Sequence, residues 1–224
     1  MKPRVNILYL PGTNCHVETQ RIFKRVGADT RLIFTTDIVA GVSRLDSADL
    51  LCLPGGFAFG DHLGAGNVAG VLLRTMLADQ LVAFADRPVI AICNGFQIAV
   101  CAGLFGDVEL RANLSGTFVN RPHQEHIVAD GNDSPWLAGL AGQHLVFPCA
   151  HGEGRFFYRK SEPQPAWQVA LRYPESSNPD GSLDNIAGIT SSNGLVFGLM
   201  DHPERALDDE TRQGFFENGV KSAL

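Results

Sequence analysis

The fold is decided by the stretch Arg87-Pro-Val-Ile-Ala-Ile-Cys93-Asn-Gly95-Phe-Gln97-Ile-Ala-Val-Cys101-Ala-Gly103. Its segment 89–92 is apolar without a break, which is typical of a strand covered on both faces. A cysteine follows at once, and a second apolar run ends at a glycine, the residue that commonly follows a helix. The pattern predicts a strand, a sharp turn with Cys93 at its tip, and a helix. This is the arrangement of a nucleophile elbow.

Cys93 is therefore a candidate nucleophile. The sharp turn lifts its sulfur clear of the sheet, and the amino-terminal end of the following helix favours the thiolate. Gly95 removes a side chain where a substrate would come close. The alternative is one more buried cysteine, because free cysteines are among the most buried residue types. The stretch alone leaves both interpretations open.

The segments before the elbow alternate between strand and helix patterns. A first helix ends at Gly27, with Thr13 or Asn14 able to cap its start. A longer helical region spans about 66–85. Strands are predicted at 5–10, 31–34 and 50–53.

This alternation predicts a mostly parallel central sheet with helices on both faces. In such sheets ligands bind beyond the carboxyl ends of the strands. Gly55 and Gly56 follow one predicted strand and Cys93 follows another. The two segments are therefore expected at the same edge of the sheet.

Beyond about residue 108 the pattern changes to short β-like runs separated by turn residues. They lie at 116–119, 125–128, 144–147, 154–158, 167–171 and 186–189. These runs predict a small antiparallel β portion attached to the same domain. A final strand at 195–200 and a helix over 206–222 complete an α/β protein, with residues 1–224 forming a single domain.

Composition excludes several classes of function. The chain has 224 residues and a formal net charge of −6 without a basic cluster, so no nucleic-acid partner is expected. No apolar run approaches the roughly 20 residues that a membrane span needs. Five cysteines without a CxxC pair argue against a disulfide framework and a cysteine zinc site. A reducing, cytoplasmic location is the natural expectation.

A cysteine nucleophile needs a base, and the base needs a group that orients it. His202-Pro203-Glu204 follows the last predicted strand. Proline biases the residue before it toward extended backbone, and residues two apart in an extended segment point the same way. The sequence predicts that Glu204 holds the ring of His202 while that ring faces Cys93. His-x-Glu alone would more often be a surface loop, and its place after a strand favours the functional interpretation.

The glycine pair after the third strand is a candidate oxyanion hole. Adjacent glycines allow backbone N–H groups to turn toward a ligand. The N–H of Gly56 or Phe57, together with that of Asn94, could bind a developing negative charge. A plain tight turn is the alternative.

Two other pairs of side chains could suggest chemistry. Cys149 and His151 are two residues apart and form a rival to the elbow, although no elbow or oxyanion glycine adjoins them. His123 and His126 have metal-ligand spacing, but no third ligand is evident, so no metal is assigned. The chain has no P-loop and no GxGxxG motif for binding a nucleotide.

Taken together, these residues resemble those of the class I glutamine amidotransferases. Within them the chain is most similar to the glutaminase subunits of phosphoribosylformylglycinamidine synthases, along nearly its whole length and in the same order. Three motifs are specific to that subfamily when they occur together. They are Cys93-Asn-Gly-Phe-Gln97, His151-Gly-Glu-Gly-Arg-Phe156 and His202-Pro-Glu-Arg205.

The resemblance implies the roles of the site residues. Cys93 would attack the side-chain amide of glutamine, with His202 as proton carrier and Glu204 as its orienting group. Substrate and oxyanion would be bound by residues of the glycine turn and the elbow, namely Gly55, Gly56, Phe57, Asn94 and Gln97. A cysteinyl thioester would form, and water would release glutamate.

The resemblance also implies partners. Ammonia would pass to a synthase subunit that converts formylglycinamide ribonucleotide to formylglycinamidine ribonucleotide, and a small accessory subunit would join the complex. The chain itself would need no cofactor, because ATP and magnesium would belong to the synthase. Two alternatives remain: an amidotransferase subunit for a different synthase, and a non-hydrolytic binding or stress protein with the elbow fold.

Overall fold

One mixed sheet of nine strands organises the part of the chain that this computed structural model describes, residues 2–159, 166–206 and 209–224, with 209–212 as backbone only. The strands in chain order are β1 Arg4–Tyr9, β2 Asp29–Phe34, β3 Leu50–Leu53, β4 Val89–Ile92, β5 Val108–Arg111, β6 Val119–Val128, β7 His144–His151, β8 Arg155–Tyr158, β9 Trp167–Arg172, β10 Ile186–Ser191 and β11 Val196–Leu199. The helices are α1 His16–Arg25, α2 Thr35–Val39, α3 Asn67–Met76, α4 Ala78–Val82, α5 Asn94–Cys101 and α6 Asp209–Lys221.

The strand order is β2-β1-β3-β4-β11-β10-β9-β6-β7. The first five strands run parallel, and the remaining four continue the same sheet in antiparallel pairs. β5 and β8 form a separate antiparallel pair. The predicted α/β class with a mostly parallel centre is confirmed, and most of the predicted antiparallel portion extends the central sheet.

The helices form two groups on opposite faces of the sheet. The chain moves from β1 outward to β2 in one direction and from β3 to β4 in the other. Because crossovers between parallel strands are right-handed, α1 and α3 must cover opposite faces. In agreement, α1 packs with α6 while α3 packs with α5. None of the helices in the described part of the chain is long and apolar enough to span a bilayer.

The centre of the sheet is the best-predicted region. Strands β3 and β4 have the predicted bounds, and all their residues are buried. Helix α1 ends at Arg25 with Val26 as its C-cap, and Gly27 follows with a positive φ of 91°. Continuous apolar runs bounded by glycine or proline therefore predicted these elements well.

Several elements differ from prediction. The helical region over 66–85 is broken at Leu77, whose φ of −122° is not helical and whose side chain is buried in the core. The run 116–119 contributes only its last residue to β6, and β5 has no predicted counterpart. Within the helix predicted over 206–222, residues 207 and 208 lie outside the described residues.

The start of α1 is also not capped as predicted. Its N-cap is Cys15, without a side-chain cap. Thr13 instead accepts a hydrogen bond from the Leu10 N–H, and Asn14 accepts one from the Cys15 thiol. Both side chains are used to shape the loop, so neither reaches the first turn of the helix.

Candidate active site

Cys93 lies at the tip of a sharp turn between β4 and α5. Its φ of 52° and ψ of −112° are strained for a residue with a side chain. The backbone is fixed on both sides, because its N–H donates to Leu199 O at 2.9 Å and its carbonyl accepts from the Phe96 and Gln97 N–H groups. The predicted elbow is therefore present, and it leaves Cys93 only 7% exposed.

Gly95 serves this elbow in a different way from the predicted one. A Cβ atom at this position would lie 1.9 Å from the carbonyl oxygen of Leu53, at the end of β3. The residue must be glycine because α5 approaches the neighbouring strand so closely. The expectation that it leaves room for a substrate was wrong, since the space is already filled by backbone.

His202 follows β11 and brings its ring to the same edge of the sheet. Its Nδ1 is 2.7 Å from Glu204 Oε1, and both residues are buried. The predicted pairing is present, but through a 3₁₀ turn over Pro203–Arg205 rather than an extended segment. Burial lowers the pKa of His202, while the Glu204 carboxylate and the thiols of Cys93 and Cys15 outweigh it and raise the pKa well above its usual value.

Cys15 is a site residue that the sequence reasoning did not single out. Cys15 Sγ, a His202 ring nitrogen and a Glu204 carboxylate oxygen lie within 4.8 Å of one another. The Arg205 guanidinium donates to Cys15 Sγ at 3.0 Å. Burial raises the pKa of the Cys15 thiol. The signal was available, because Cys15 lies in the loop after β1, and β1 ends at the same sheet edge as β4.

Gly55 lies between Cys15 and Cys93, next to the ring of His202. A Cβ atom here would lie 2.9 Å from Cys15 Sγ, 3.0 Å from His202 Cε1 and 3.3 Å from Cys93 Cβ. Two cysteines and the imidazole therefore surround one small space that only a glycine leaves open. This arrangement places Gly55 in the packing of the site, beside the elements that carry the reacting groups.

The oxyanion candidates differ in whether their backbone N–H groups already donate a hydrogen bond. The Phe57 N–H donates to Gly12 O at 3.0 Å, so it is already engaged. Within the described residues, the Gly56 N–H makes none of the turn and loop hydrogen bonds, and Gly56 lines a cavity with Cys93. The Asn94 N–H belongs to the first residue of α5, where helix N–H groups have no intrahelical acceptor. Gly56 and Asn94 fit the oxyanion role best.

A chain of amide hydrogen bonds ties the elbow helix to the loop after β3. The Asn94 side chain accepts from the Ala58 N–H at 2.9 Å and donates to Asp61 at 3.0 Å and to Gln97 Oε1 at 2.9 Å. Gln97 in turn donates to the Glu153 carbonyl at 2.9 Å. Gln97 lines the cavity, but its amide is used to hold these segments together.

The cavity beside Cys93 has a volume of about 170 Å³. Carboxylates of Asp61 and Glu153 stand on its wall, and burial raises the pKa of Asp61. Gln97 and His151 are further polar residues of the lining, beside Cys93, glycines and apolar residues. The lining residues are Gly56, Phe57, Asp61, Ala65, Cys93, Gln97, Phe118, Ala150, His151, Gly152 and Glu153.

The sequence offered two other candidate pairs, Cys149 with His151 and His123 with His126. Cys149 Sγ is 3.2 Å from His151 Nε2, but Cys149 is fully buried. Burial and the neighbouring Asp201 raise the pKa of its thiol far above the usual value, so it is a poor nucleophile. His123 is exposed on β6 while His126 is buried and bonded to Asp201 at 2.5 Å. Those two histidines do not share a site.

Comparisons with known proteins identify the family of the chain. The family model of the CobB/CobQ-like glutamine amidotransferase domain matches residues 2–220. A phosphoribosylformylglycinamidine synthase subunit PurQ from Methanococcus maripaludis is 32% identical, with 92% of this chain and 83% of the relative covered. The PurQ subunit from Sulfurimonas denitrificans is 35% identical, with 92% of each chain covered.

A solved structure gives the same result for the fold. A chain in the structure of PurLQS from Thermotoga maritima matches with a TM-score of 0.82 and 32% sequence identity. The match covers 100% of this chain and 98% of that one. The similarity therefore includes the antiparallel extension of the sheet as well as its parallel centre.

Proposed function

Because the chain belongs to the CobB/CobQ-like glutamine amidotransferase family, we propose that it is the glutaminase subunit of a phosphoribosylformylglycinamidine synthase. It hydrolyses L-glutamine to glutamate and ammonia. The observation that carries the proposal is the meeting of the Cys93 elbow with the His202–Glu204 pair at one sheet edge, beside a cavity. Hydrolysis by a cysteine nucleophile requires these groups together.

The reaction proceeds in two halves. The Cys93 sulfur attacks the side-chain amide carbon of glutamine, and the carbonyl oxygen becomes an oxyanion bound by the Gly56 and Asn94 N–H groups. His202 carries the thiol proton to the nitrogen, ammonia leaves and a γ-glutamyl thioester remains. Water then attacks the thioester, His202 takes its proton and returns it to the sulfur, and glutamate is released. Glu204 holds the ring and stabilises its charged form.

The cavity suits the remainder of glutamine. Asp61 and Glu153 offer negative charge to the α-ammonium group of the substrate. Asp61 is held in place by Asn94, and Glu153 accepts from the Ala65 N–H at 3.2 Å. The Gln97 side-chain amide joins Asn94, which holds Asp61, to the Glu153 carbonyl and so positions both carboxylate-bearing segments. Recognition of the amino-acid end thus depends on the loop after β3 and the turn after β7.

The ammonia goes to a partner. The relatives are named as synthase subunits, and the matched chain comes from a PurLQS complex. By analogy this chain works with a synthase subunit and a small accessory subunit. ATP and magnesium bind to the synthase, where formylglycinamide ribonucleotide is activated, and the chain's own glutaminase chemistry requires no cofactor. The whole chain, residues 1–224, forms one glutaminase domain that acts in the cytoplasm, in keeping with its free cysteines.

Two alternative functions predict different experimental results from this one. An amidotransferase for another synthase would keep the glutaminase chemistry but feed a different acceptor. A non-hydrolytic binding or stress protein would release no glutamate even with its partner. The pairing of His202 with Glu204 beside Cys93 favours hydrolysis over the latter.

The test is the substitution Cys93→Ser, measured in the complex with the synthase. We expect glutamine-dependent synthesis to fall by several orders of magnitude, since losing the nucleophile of a hydrolytic triad costs on the order of 10⁶ in kcat. Synthesis from free ammonium should be retained. Cys101→Ser is the matched control, because Cys101 lies at the end of α5 away from the cavity. Loss of ammonium-dependent synthesis would assign Cys93 a structural role.

A second measurement identifies the nucleophile directly. An electrophilic glutamine analogue should label Cys93 alone, as mapped by peptide mass spectrometry. Burial raises the pKa of each of the other four thiols, those of Cys15, Cys52, Cys101 and Cys149. Label on Cys15 would transfer the nucleophile role to the second thiol beside His202.

A further inference from the structure

Cys15 lies beside the glutaminase site, and the reaction described above gives it no role. It belongs to the loop between β1 and α1 and is only 2% exposed. Burial raises the pKa of its thiol, so the sulfur stays protonated and is a poor nucleophile. Any part that Cys15 plays in the reaction therefore depends on the groups that it contacts.

The backbone of this loop is fastened to the turn that supplies the Gly56 oxyanion donor. The Cys15 N–H donates to Gly55 O at 3.2 Å, and Thr13 forms an antiparallel bridge with Gly56. Both contacts join neighbouring residues of the loop to neighbouring residues of the turn. Cys15 therefore has a fixed position relative to the Gly56 N–H.

The side chain of Cys15 reaches from this loop to the proton carrier. Cys15 Sγ, a His202 ring nitrogen and a Glu204 carboxylate oxygen lie within 4.8 Å of one another. A Cβ atom at Gly55 would meet the sulfur at 2.9 Å and His202 Cε1 at 3.0 Å, so both approach the same point. Because Glu204 holds the ring at Nδ1, a sulfur at this position limits the remaining rotation of the ring.

Hydrogen bonds hold the sulfur itself in place. The thiol donates to Asn14 Oδ1 at 3.1 Å, and the sulfur accepts from Arg205 Nη2 at 3.0 Å. Arg205 is anchored to α1, because its Nη2 and Nε donate to Glu18 Oε1 at 2.7 and 2.9 Å. Arg205 also follows Glu204 directly in the chain, so these contacts form a closed ring that returns to the orienting carboxylate.

Cys52 shows how a cysteine used only for packing differs from Cys15. Cys52 is fully buried in β3, and none of the hydrogen bonds of the described residues involves its thiol. The sulfur of Cys15 instead has an acceptor, a donor and an ion pair of that donor around it. Buried polar groups are costly to leave unpaired, so this network fixes the sulfur in one position.

We propose that Cys15 is a positioning residue of the reaction, whose sulfur keeps the His202 ring at a fixed place relative to the Gly56 oxyanion donor. The proposal rests on the glutaminase function given above. Both groups act on one amide of the substrate, the N–H on its oxygen and the ring on its nitrogen. Arg205 and Glu18 support the arrangement by holding the sulfur. Misplacing a reacting group by about 1 Å can cost roughly 10²-fold in rate, so loss of this link should be measurable.

The sulfur also affects the charge of the ring. Five charged or titratable side chains surround His202, and β7 adds the Pro148 carbonyl, which does not titrate. They are Cys93 of the elbow, Cys15 of the loop after β1, Glu204 and Arg205 of the turn after β11, and Glu18 of α1 behind Arg205. Burial lowers the pKa of His202, whereas the Glu204 carboxylate and both thiols raise it. Removing the Cys15 sulfur should therefore lower this pKa, and a serine hydroxyl, which also accepts hydrogen bonds, should largely retain it.

The first test measures the His202 ring directly. An NMR titration of the full-length chain follows the ring protons of His202, assigned by their absence in His202→Gln. We expect the pKa of His202 to fall in Cys15→Ala and to stay near the wild-type value in Cys15→Ser. Cys101→Ala is the matched control, because Cys101 lies at the end of α5 and its loss should leave the titration unchanged.

The second test measures glutamate release in the complex with the synthase. In Cys15→Ala we expect kcat to fall by about 10–100-fold while KM changes little, because Cys15 does not line the cavity. Cys15→Ser should recover most of kcat. Arg205→Gln should lower kcat in the same way, since it releases the sulfur. Arg4→Gln is the matched control, because its partner Asp49 lies at the opposite end of the parallel strands.

The outcomes separate this proposal from the proposed function. An unchanged pKa of His202 in Cys15→Ala overturns the role of Cys15, as does a lower Tm with unchanged kcat, which would make it a packing residue. A wild-type complex that releases no glutamate would overturn the glutaminase function, and the NMR titration would still decide whether Cys15 controls the ring. Should Cys15→Ala fail to fold, Cys15→Val, which fills the space without a hydrogen-bond acceptor, takes its place in both measurements.

Discussion

The charge of His202 is set by its surroundings more than by its own chemistry. Burial alone would favour the neutral ring, yet Glu204 at 2.7 Å and two thiols reverse that preference. The raised pKa keeps His202 protonated at pH values where an ordinary imidazole has lost its proton. The imidazolium can then deliver a proton to departing ammonia, which is its task in the first half of the reaction.

The substitution Glu204→Gln tests this account. Turnover should fall, by less than the roughly 10⁴ in kcat that losing the orienting carboxylate costs in a serine triad, because cysteine is partly ionised without help. Activity is present while His202 holds its proton and is lost as pH rises through its pKa. Since the Glu204 carboxylate is the largest of the causes that raise this pKa, its removal should move the alkaline limb of kcat to lower pH.

The measurement is the pH profile of glutamate release in the complex. Glu217→Gln is the matched control, because Glu217 is a half-exposed residue of α6 that pairs with Lys221, away from the site. An unchanged alkaline limb in Glu204→Gln would remove Glu204 from the control of the His202 charge.

At the scale of elements, the features that could be predicted from the sequence are those that one continuous segment encodes. The elbow of β4, Cys93 and α5 was predictable because its apolar runs and its glycines are adjacent in the chain. The meeting of Cys93 with His202 followed from a general rule, that parallel strands end at a common edge. The contacts of Cys15 with Arg205 and of His126 with Asp201 join segments far apart in sequence. No periodicity records such a contact, so only the structure reveals them.

The packing of α5 against β3 can be tested by Gly95→Ala. The added Cβ would lie 1.9 Å from the Leu53 carbonyl oxygen, so helix and strand must separate. We expect the free energy of unfolding to fall by about 1–3 kcal/mol, the usual cost of overpacking. In a chain of this size each kcal/mol corresponds to a Tm decrease of roughly 2–4 °C.

Gly214→Ala in α6 is the matched control, because a Cβ there would meet no atom within 4 Å. Alanine in a helix interior should raise stability by about 0.5–1 kcal/mol. A Gly95→Ala variant with wild-type Tm but reduced glutaminase activity would instead restore the interpretation that Gly95 makes room for the substrate.

At the scale of the whole molecule, exposed apolar side chains gather around the mouth of the cavity. Phe57 and Phe118 line it while about half exposed, at 49% and 55%. Leu63 is 87% exposed in the loop leading to Ala65, whose N–H is bonded to Glu153. A group of large apolar residues at a functional opening is typical of a protein-binding surface. The synthase would then cover the opening through which ammonia leaves.

This surface connects partner binding to activity. The Gly55–Gly56 turn is tied to the loop after β1 by bonds from the Cys15 N–H to Gly55 O and from the Phe57 N–H to Gly12 O. A partner that presses on Phe57 therefore acts on the peptide that supplies the Gly56 oxyanion donor. Misplacing one such donor costs roughly 10²–10³ in rate, so the isolated chain should be a slow glutaminase that the synthase accelerates.

The substitution Leu63→Asp tests whether the partner binds at this mouth. Leu63 has a positive φ of 65°, a conformation that aspartate tolerates better than leucine, so the fold should be retained. We expect the Kd for the synthase to rise at least about tenfold, as for an interface hot spot. The slow glutaminase activity of the isolated chain should stay unchanged, because the Leu63 side chain does not line the cavity.

The matched control is Val42→Asp. Val42 is 73% exposed and lies between α2 and β3, at the opposite end of the parallel strands. Equal loss of affinity in both variants would indicate a nonspecific effect of added charge, and unchanged affinity in Leu63→Asp would place the synthase on another surface.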